Sequence, residues 1–469
     1  MERPLSPLTE EQEGELAERQ WRKANPKTGP KSYRTPQQRD RDRVLYSSAL
    51  QRLAYVTQVT ASESGHIFHN RLSHSLKVAQ VGRRNAERLQ TLVARGEISG
   101  GAARMIEALD PDAVEASCLA HDLGHPPYGH IAEQVLHEKA VKYLPDGFEG
   151  NAQSFRIVTR LSVRDEKPGM DLTRQTLNGL LKYPWRRWPA DLTKGQKRKW
   201  KWGAYEDDVE ALAFARKGWP PESPYELPRL CLEAEIMDWA DDLTYAVHDV
   251  DDFFRAGLIP LDRLAATDGT ELKHLETLLV GARSEDPHGF PDFETERLAR
   301  AAQVAASRAA SAAPYRHTHG DRGAMREFGS RLITEYLEAF SVQNAGSGVK
   351  LVIDDRAHCE VEALKMLVRV YVIRRPSLAV VQQGQMRVVG ELFDRYFEAA
   401  VPPARGGNRH LFPPGAGERL EKEGASEAKR ARITVDLISG LTETAAVKLH
   451  NRLTGGWVAS ALDATAAIG

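Results

Sequence analysis

Apolar positions along this chain recur mostly at three- and four-residue intervals, the period that buries one face of an α-helix. After His74, the residues Leu76, Val78, Ala79 and Val81 make such a face, with Lys77, Arg83 and Arg84 left polar. Ile236, Trp239, Ala240, Leu243 and Val247 repeat the pattern. The stretch Asp112–Ala120 predicts a short helix that must stop soon, because Gly124, Pro126 and Pro127 follow. Met366–Ile373 is rich in β-branched residues but continues the period of the preceding Glu360–Lys365, so it is assigned to helix. Strand-like runs are few. The expected fold class is all-α: a large helical body with helical appendages.

Length refines this only slightly. A chain of 469 residues could hold two or three domains. Its chemically distinctive residues are spread over most of the first half, which favours one large body over separable modules. Residues 1–40 are polar and read as a mobile arm. Residues 41–260 form the expected core and 261–469 a helical part packed on it. Pro-Pro and Gly-Gly pairs make 402–430 an expected loop, and the Ala/Arg-rich 297–312 an expected surface or subunit-contact helix. There is no internal repeat.

A net charge of −1 gives no global basic field for nucleic acid. The run Lys194–Lys201, close to Trp185, Trp188, Trp200 and Trp202, could still bind single strands or phosphates, or form a loop beside the active site. Three cysteines without a C-x-x-C pair fit a reducing compartment. No apolar run approaches the roughly 18 residues of a membrane span, and no signal-type apolar region opens the chain. The expected location is cytoplasmic, without a membrane partner.

The candidate chemistry lies in three places: His74, the pair His121-Asp122, and Asp241. Two imidazoles and two carboxylates make a donor set for a divalent cation that keeps positions open for water and substrate. Adjacent residues diverge on a regular helix. His121 and Asp122 are therefore expected where the 112–120 helix ends and the backbone turns. A lone histidine is more often structural, and an Asp-Asp pair is usually a solvated face. The run His-Asp-Leu-Gly-His-Pro-Pro-Tyr-Gly-His (121–130) is harder to explain as packing.

Taken in order, these signatures resemble the HD-domain superfamily of helical metal-dependent phosphohydrolases. Within it the chain is similar to the dGTPase-like deoxynucleoside triphosphate triphosphohydrolases. The likeness extends through Arg52–Val59, Gly147–Arg156, Leu172–Arg174, Leu181–Trp185, Lys201–Asp208, Glu233–Asp242, Gln383–Arg387 and Asp436–Thr442. It implies that His74, His121, Asp122 and Asp241 (rather than its neighbour Asp242) hold the metal, which could be Mn, Mg, Fe or Co. It implies catalytic roles for His130, oriented by Glu133, and for His125, with Arg71 on phosphate oxygens.

In the same reading Tyr245 packs on the deoxyribose, Asp249 accepts from its 3′-OH, Gln58 reads the sugar and Val59 presses on base or sugar. Tyr245 as a core aromatic and Asp249 as an exposed acid remain the plainer alternatives. Lys182, Arg174, Arg322, Arg326 and Arg387 are unranked cationic candidates, needed because no phosphate loop of the G-x-x-x-x-G-K-[ST] type occurs. The implied reaction is attack at the α-phosphorus of a dNTP, dGTP-like, releasing deoxynucleoside and intact triphosphate. A homo-oligomer and an allosteric dNTP are further implied partners. Asn70-Arg71 and Leu50-Gln51-Arg52 depart from the family pattern, which puts base preference in question. Two other readings stay open: another HD phosphohydrolase acting on nucleotides, and a non-catalytic dNTP-sensing or nucleic-acid-binding protein.

Overall fold

The structure is a computed structural model that describes residues 33–58, 69–164, 167–187, 201–219, 228–266, 268–287, 289–309, 314–345, 348–424 and 426–456. Val59, Trp188, Trp200 and the basic run up to residue 200 lie outside these residues. Helices dominate, as expected. The described strands form two antiparallel hairpins, Val163–Arg164 with Lys167–Pro168 and Phe340–Ala345 with Gly348–Ile353. No helix among the described residues is long and apolar enough to cross a membrane.

The Arg71–Ala94, Pro111–Ala120 and Leu232–Arg255 helices pack on one another, with Pro36–Leu45 and Arg174–Leu180 against them. Val78, Ala79 and Val81 are buried on the first of these, and Ile236, Trp239, Ala240, Leu243 and Val247 on the third. Leu76 departs from the expected apolar face and is 44 % exposed. It sits two residues after buried His74, which places it about 200° around the helix from that face.

A second apolar core forms elsewhere. Ala132, Val135, Leu136 and Ala140 of the His130–Ala140 helix are buried together with Val389, Leu392 and Phe393 of Pro376–Ala399 and with Ile433 and Val435 of Glu427–Ser439. Burying Val135 and Leu136 contributes about 1.5–3 kcal/mol each. The helix that begins at His130 is thus held by the C-terminal part of the chain, while His74, His121 and Asp241 ride on elements of the first core.

Several boundaries differ from the sequence reading. Residues 36–40, assigned to the polar arm in the sequence reading, belong to the Pro36–Leu45 helix, which begins with a Thr35 capping box and buries Asp40. Asp40 accepts from the backbone N–H and hydroxyl of Thr173, at 2.8 and 2.6 Å. The expected loop 402–430 contains the Pro414–Glu423 helix, whose proline occupies the first turn where no N–H is needed, and the start of Glu427–Ser439. Thr295–Ser307 is a surface helix, as one alternative of the sequence reading has it, with Arg297, Arg300 and Val304 exposed, and its other face buries Leu298, Ala299, Ala302, Ala305 and Ala306 in the core. Its alanines allow close approach to Asp355–Val368. The helical assignment of 366–373 holds, with a π-helical turn at Arg369–Ile373.

Candidate active site

Asn70 caps the Arg71–Ala94 helix: its side chain accepts from Ser73 N–H while the Ser73 hydroxyl accepts from Asn70 N–H. Asparagine serves this position as well as threonine does. Arg52 donates to the carbonyls of Leu123, His125 and Leu441. Asn70 and Arg52 therefore act as scaffold, and of the two departing stretches only Arg71 lines the cavity described below.

The cap sets Arg71 and His74 on the buried side of the first helical turns. His121 is the C-cap of Pro111–Ala120, and its Nδ1–H donates to the Cys118 carbonyl at 2.6 Å. This leaves Nε2 as the ring nitrogen facing the carboxylates, which takes an ion on giving up its proton. The following turn lies tightly on the Gly150–Arg156 helix: a Cβ on Gly124 would come within 2.2 Å of the Gly150 carbonyl oxygen. Gly124 N–H donates to Ser154 Oγ at 2.8 Å.

The donor atoms converge. His74 Nε2 is 3.1 Å from Asp241 Oδ1, and His121 Nε2 is 3.4 Å from Asp122 Oδ1 and 3.5 Å from Asp241 Oδ1. His121 Nε2 is buried without a hydrogen-bond partner among the described residues. A buried, unsatisfied nitrogen facing two carboxylates is what a cation site presents before it is filled. Asp242 instead meets Lys365 at 3.1 Å. Burial works against charge on His121, but Asp122 and Asp241 prevail and raise it to about 9. Asp122 is held well below the carboxylate range against the effect of burial, by His121, His125 and Arg71. Lys182 and His121 do the same for Asp241.

A second group adjoins the first. His125 Nδ1 lies 3.0 Å from Asp122 Oδ1, and its Nε2 lies 3.5 Å from Glu133 Oε1. Glu133 Oε2 is 2.9 Å from His130 Nδ1. His125 is buried, whereas the His130 side chain is 71 % exposed at the cavity mouth. Burial and the nearby Arg71 lower the His125 pKa, against the opposing pull of Asp122 and Glu133. Gly150 makes room for Glu133: a Cβ there would meet Glu133 Oε1 at 2.1 Å.

These groups open onto a cavity of about 350 Å³, lined by Gln58, Arg71, Tyr128, His130, Lys182 and Tyr245 as well as the donors. Tyr245 is a wall residue, not core packing. Gln58 Oε1 is buried and unpaired among the described residues. Arg71 is engaged as scaffold, its Nε on the Thr57 carbonyl at 3.1 Å and its Nη1 on Asp122 Oδ2 at 2.8 Å. Asp249 is buried, not exposed, and does not line the cavity. It lies eight residues past Asp241, about 12 Å along the helix.

Among the cationic candidates, Lys182 joins the wall and bridges Asp238 and Asp241 at 2.7 and 2.9 Å. Arg174 packs on Phe214, Arg322 and Arg326 are exposed on the His319–Glu338 helix, and Arg387 pairs with Glu391. The sequence reading missed Lys365 and Tyr183 as wall residues, together with Ile373, Leu378 and Gln382 from the C-terminal part, and had Lys201 only as the end of a basic run. Tyr183 and Lys201 lie inside stretches that carried the family likeness, but nothing marked them individually.

The HD domain profile matches residues 71–246, and the phosphohydrolase-associated domain profile matches 351–452. A deoxyguanosinetriphosphate triphosphohydrolase-like protein of Streptomyces coelicolor is 35% identical over 450 residues, covering 90% of this chain and 93% of its own. Like-named proteins of Corynebacterium efficiens and Mesorhizobium japonicum are 34% and 33% identical, covering 89% and 90% of this chain and 91% and 89% of their own. HD domains bind divalent metals, and His74, His121 and Asp122 form a group able to hold one. The chain belongs to the HD-domain superfamily of phosphohydrolases and, within it, to the dGTPase-like family.

Proposed function

We propose that this chain hydrolyses deoxynucleoside triphosphates, dGTP-like, to deoxynucleoside and intact inorganic triphosphate. One observation carries the reading: His74, His121, Asp122 and Asp241 converge at a cavity that also presents lysines for a polyanion and an exposed imidazole backed by a carboxylate. Those four residues would hold the ion. When bound, a divalent ion supplies positive charge to phosphate oxygens and lowers the pKa of water.

The chain's own residues do the rest. Lys182, Lys201 and Lys365 line the cavity and offset phosphate charge that no glycine-rich loop meets. Arg71 orients Asp122 through Nη1. Glu133 holds His130 Nδ1, which leaves Nε2 to protonate the leaving 5′-oxygen. Tyr245 packs against the sugar and the Gln58 amide reads it. The relatives' names favour this reading over other nucleotide hydrolases, and the His130–Glu133 pair favours it over a pure binder.

The test is a product analysis on purified protein with each dNTP and Mn²⁺ or Mg²⁺, singly and mixed. Deoxynucleoside with intact triphosphate supports the reading, and activity only in mixtures adds an activating nucleotide. Monophosphate with pyrophosphate overturns the bond assignment. No turnover in any mixture overturns the enzyme.

A further inference from the structure

The Glu443–Thr454 helix belongs to the C-terminal part, yet its first residue reaches into the active-site wall. Thr442 caps this helix, accepting from Ala445 N–H. An acidic side chain in a first helical turn ordinarily serves its own helix. The Glu443 carboxylate instead accepts from two segments far away in sequence. Oε1 takes the Thr57 N–H at 2.7 Å and the Tyr128 N–H at 3.2 Å, and Oε2 takes the Thr57 hydroxyl at 2.8 Å.

Both segments position site residues. Thr57 precedes Gln58, and its carbonyl accepts from Arg71 Nε, whose Nη1 holds Asp122. Tyr128 has φ of 68°, a left-handed conformation that non-glycine residues rarely adopt, and Gly129 follows at 59°. This turn delivers His130 to the start of its helix. It also packs on Arg71, since a Cβ on Gly129 would lie 2.9 Å from Arg71 Nη2.

We propose that Glu443 is a positioning residue: its carboxylate clamps Thr57 and the Tyr128–Gly129 turn together, setting Arg71 and His130 in register across the metal donors. The phosphohydrolase-associated region thereby takes a part in the reaction without touching substrate. The kinetic side of this rests on the hydrolase reading above; the structural side does not.

The test compares Glu443→Ala and Glu443→Gln with the parent in the full chain. Amide hydrogen exchange, dGTP kinetics with Mn²⁺ and thermal melting are the three measurements. Loss of charge-assisted bonds should speed exchange at Thr57 and Tyr128 about tenfold or more in the alanine variant. Misplacing His130 should lower kcat about 10- to 100-fold, with a smaller change in KM and a Tm within a few degrees of the parent. The glutamine variant, which keeps one acceptor, should recover part of kcat. Unchanged exchange at both amides overturns the clamp. So does a loss of kcat that merely tracks loss of folded protein and is the same for both variants. If the parent releases no triphosphate from any dNTP, the hydrolase reading fails, and the exchange data alone decide the clamp.

Discussion

At the scale of single residues, Asp122 does two jobs that different substitutions separate. It faces His121 Nε2, and it is the partner of the buried Arg71 guanidinium. Asp122→Asn keeps an acceptor for Arg71 but removes the charge a cation needs. It should abolish triphosphate release and bound Mn²⁺ while leaving the fold intact. Asp122→Ala should in addition destabilise by about 3–5 kcal/mol, because a buried arginine loses its partner. Metal analysis, product release and denaturant unfolding on both variants check this; full activity in either removes Asp122 from the site. Gly150→Ala probes the neighbouring group. The added methyl would fall 2.1 Å from Glu133 Oε1, so Glu133 must leave His130. We expect kcat to drop about 10- to 100-fold with metal content unchanged.

The histidine run was legible because no packing role suits three imidazoles and an aspartate around a Gly-His-Pro-Pro turn. Lys365 was not, and Lys182 and Lys201 stood out only as one of five unranked cations and the end of a basic run, since lysines are common and their long flexible stems reach a cavity from many backbone positions. Asp249 shows the same limit from the other side: its spacing from Asp241 is clear, but spacing alone does not say which helical neighbours the cavity includes.

At the scale of elements, helix faces read well, as did the end of Pro111–Ala120 at His121, and other helix boundaries did not. Periodicity located the Arg71–Ala94 and Leu232–Arg255 helices and their buried sides. It missed the Pro414–Glu423 helix, where prolines and glycines suggest a loop although Leu420 finds a buried site. Packing against a distant partner decides such cases, and that partner is not written locally. The Leu232–Arg255 helix also carries a titration that sequence could not show. Glu235 accepts from Leu351 N–H of the 340–353 hairpin at 2.6 Å. Burial pushes its carboxyl up to about 7, against the opposing Leu351 hydrogen bond and Arg229.

A folded-state pKa above the unfolded value of about 4.3 means the native chain holds this proton more tightly. Stability from this group should therefore be lost as pH rises from about 4.3 to 7, and the penalty persists above that window. Glu235→Gln preserves the acceptor and removes the charge. It should raise stability at pH 8 by about 1 kcal/mol, the full shift being discounted for the part of the side chain in water. It should change little at pH 4. Melting curves at the two pH values decide the matter, and equal shifts at both would show that Glu235 does not titrate in this way.

At the scale of the molecule, the candidate site lies where two apolar cores meet, and a buried charge network also joins them. Arg156 donates to Asp208 at 2.9 Å and to Asp436 at 3.0 Å, and Arg419 adds a 2.7 Å bond to Asp436. Gln153 donates to the same carboxylate. Arg156 belongs to the Gly150–Arg156 helix beneath Glu133, and Asp436 belongs to the C-terminal Glu427–Ser439 helix. The sequence marked both ends, Gly147–Arg156 and Asp436–Thr442, as family stretches, but not that they touch. A contact between residues 280 positions apart leaves no periodic trace.

Burial opposes ionisation of Asp436, yet Arg156 and Arg419 hold its pKa far below the ordinary carboxylate range. Asp208 has Arg156 but not Arg419, and burial pushes it up instead. Asp436 should therefore dominate the acid response of the network. Its folded pKa lies below the unfolded value, so its stabilisation is present above about pH 4 and is lost as pH falls below that. Asp436→Asn leaves Arg156 and Arg419 short of a charge and should cost about 3–5 kcal/mol at pH 7. The difference from the parent should shrink as both are acidified below pH 4. Because the network ties the helix under Glu133 to the C-terminal core, activity should fall with this stability even though Asp436 lies outside the cavity wall. Chemical denaturation at pH 7 and pH 3, with dGTP turnover at pH 7, is the measurement. A variant as stable as the parent at pH 7 would show that the Asp436 network does not hold the two cores together.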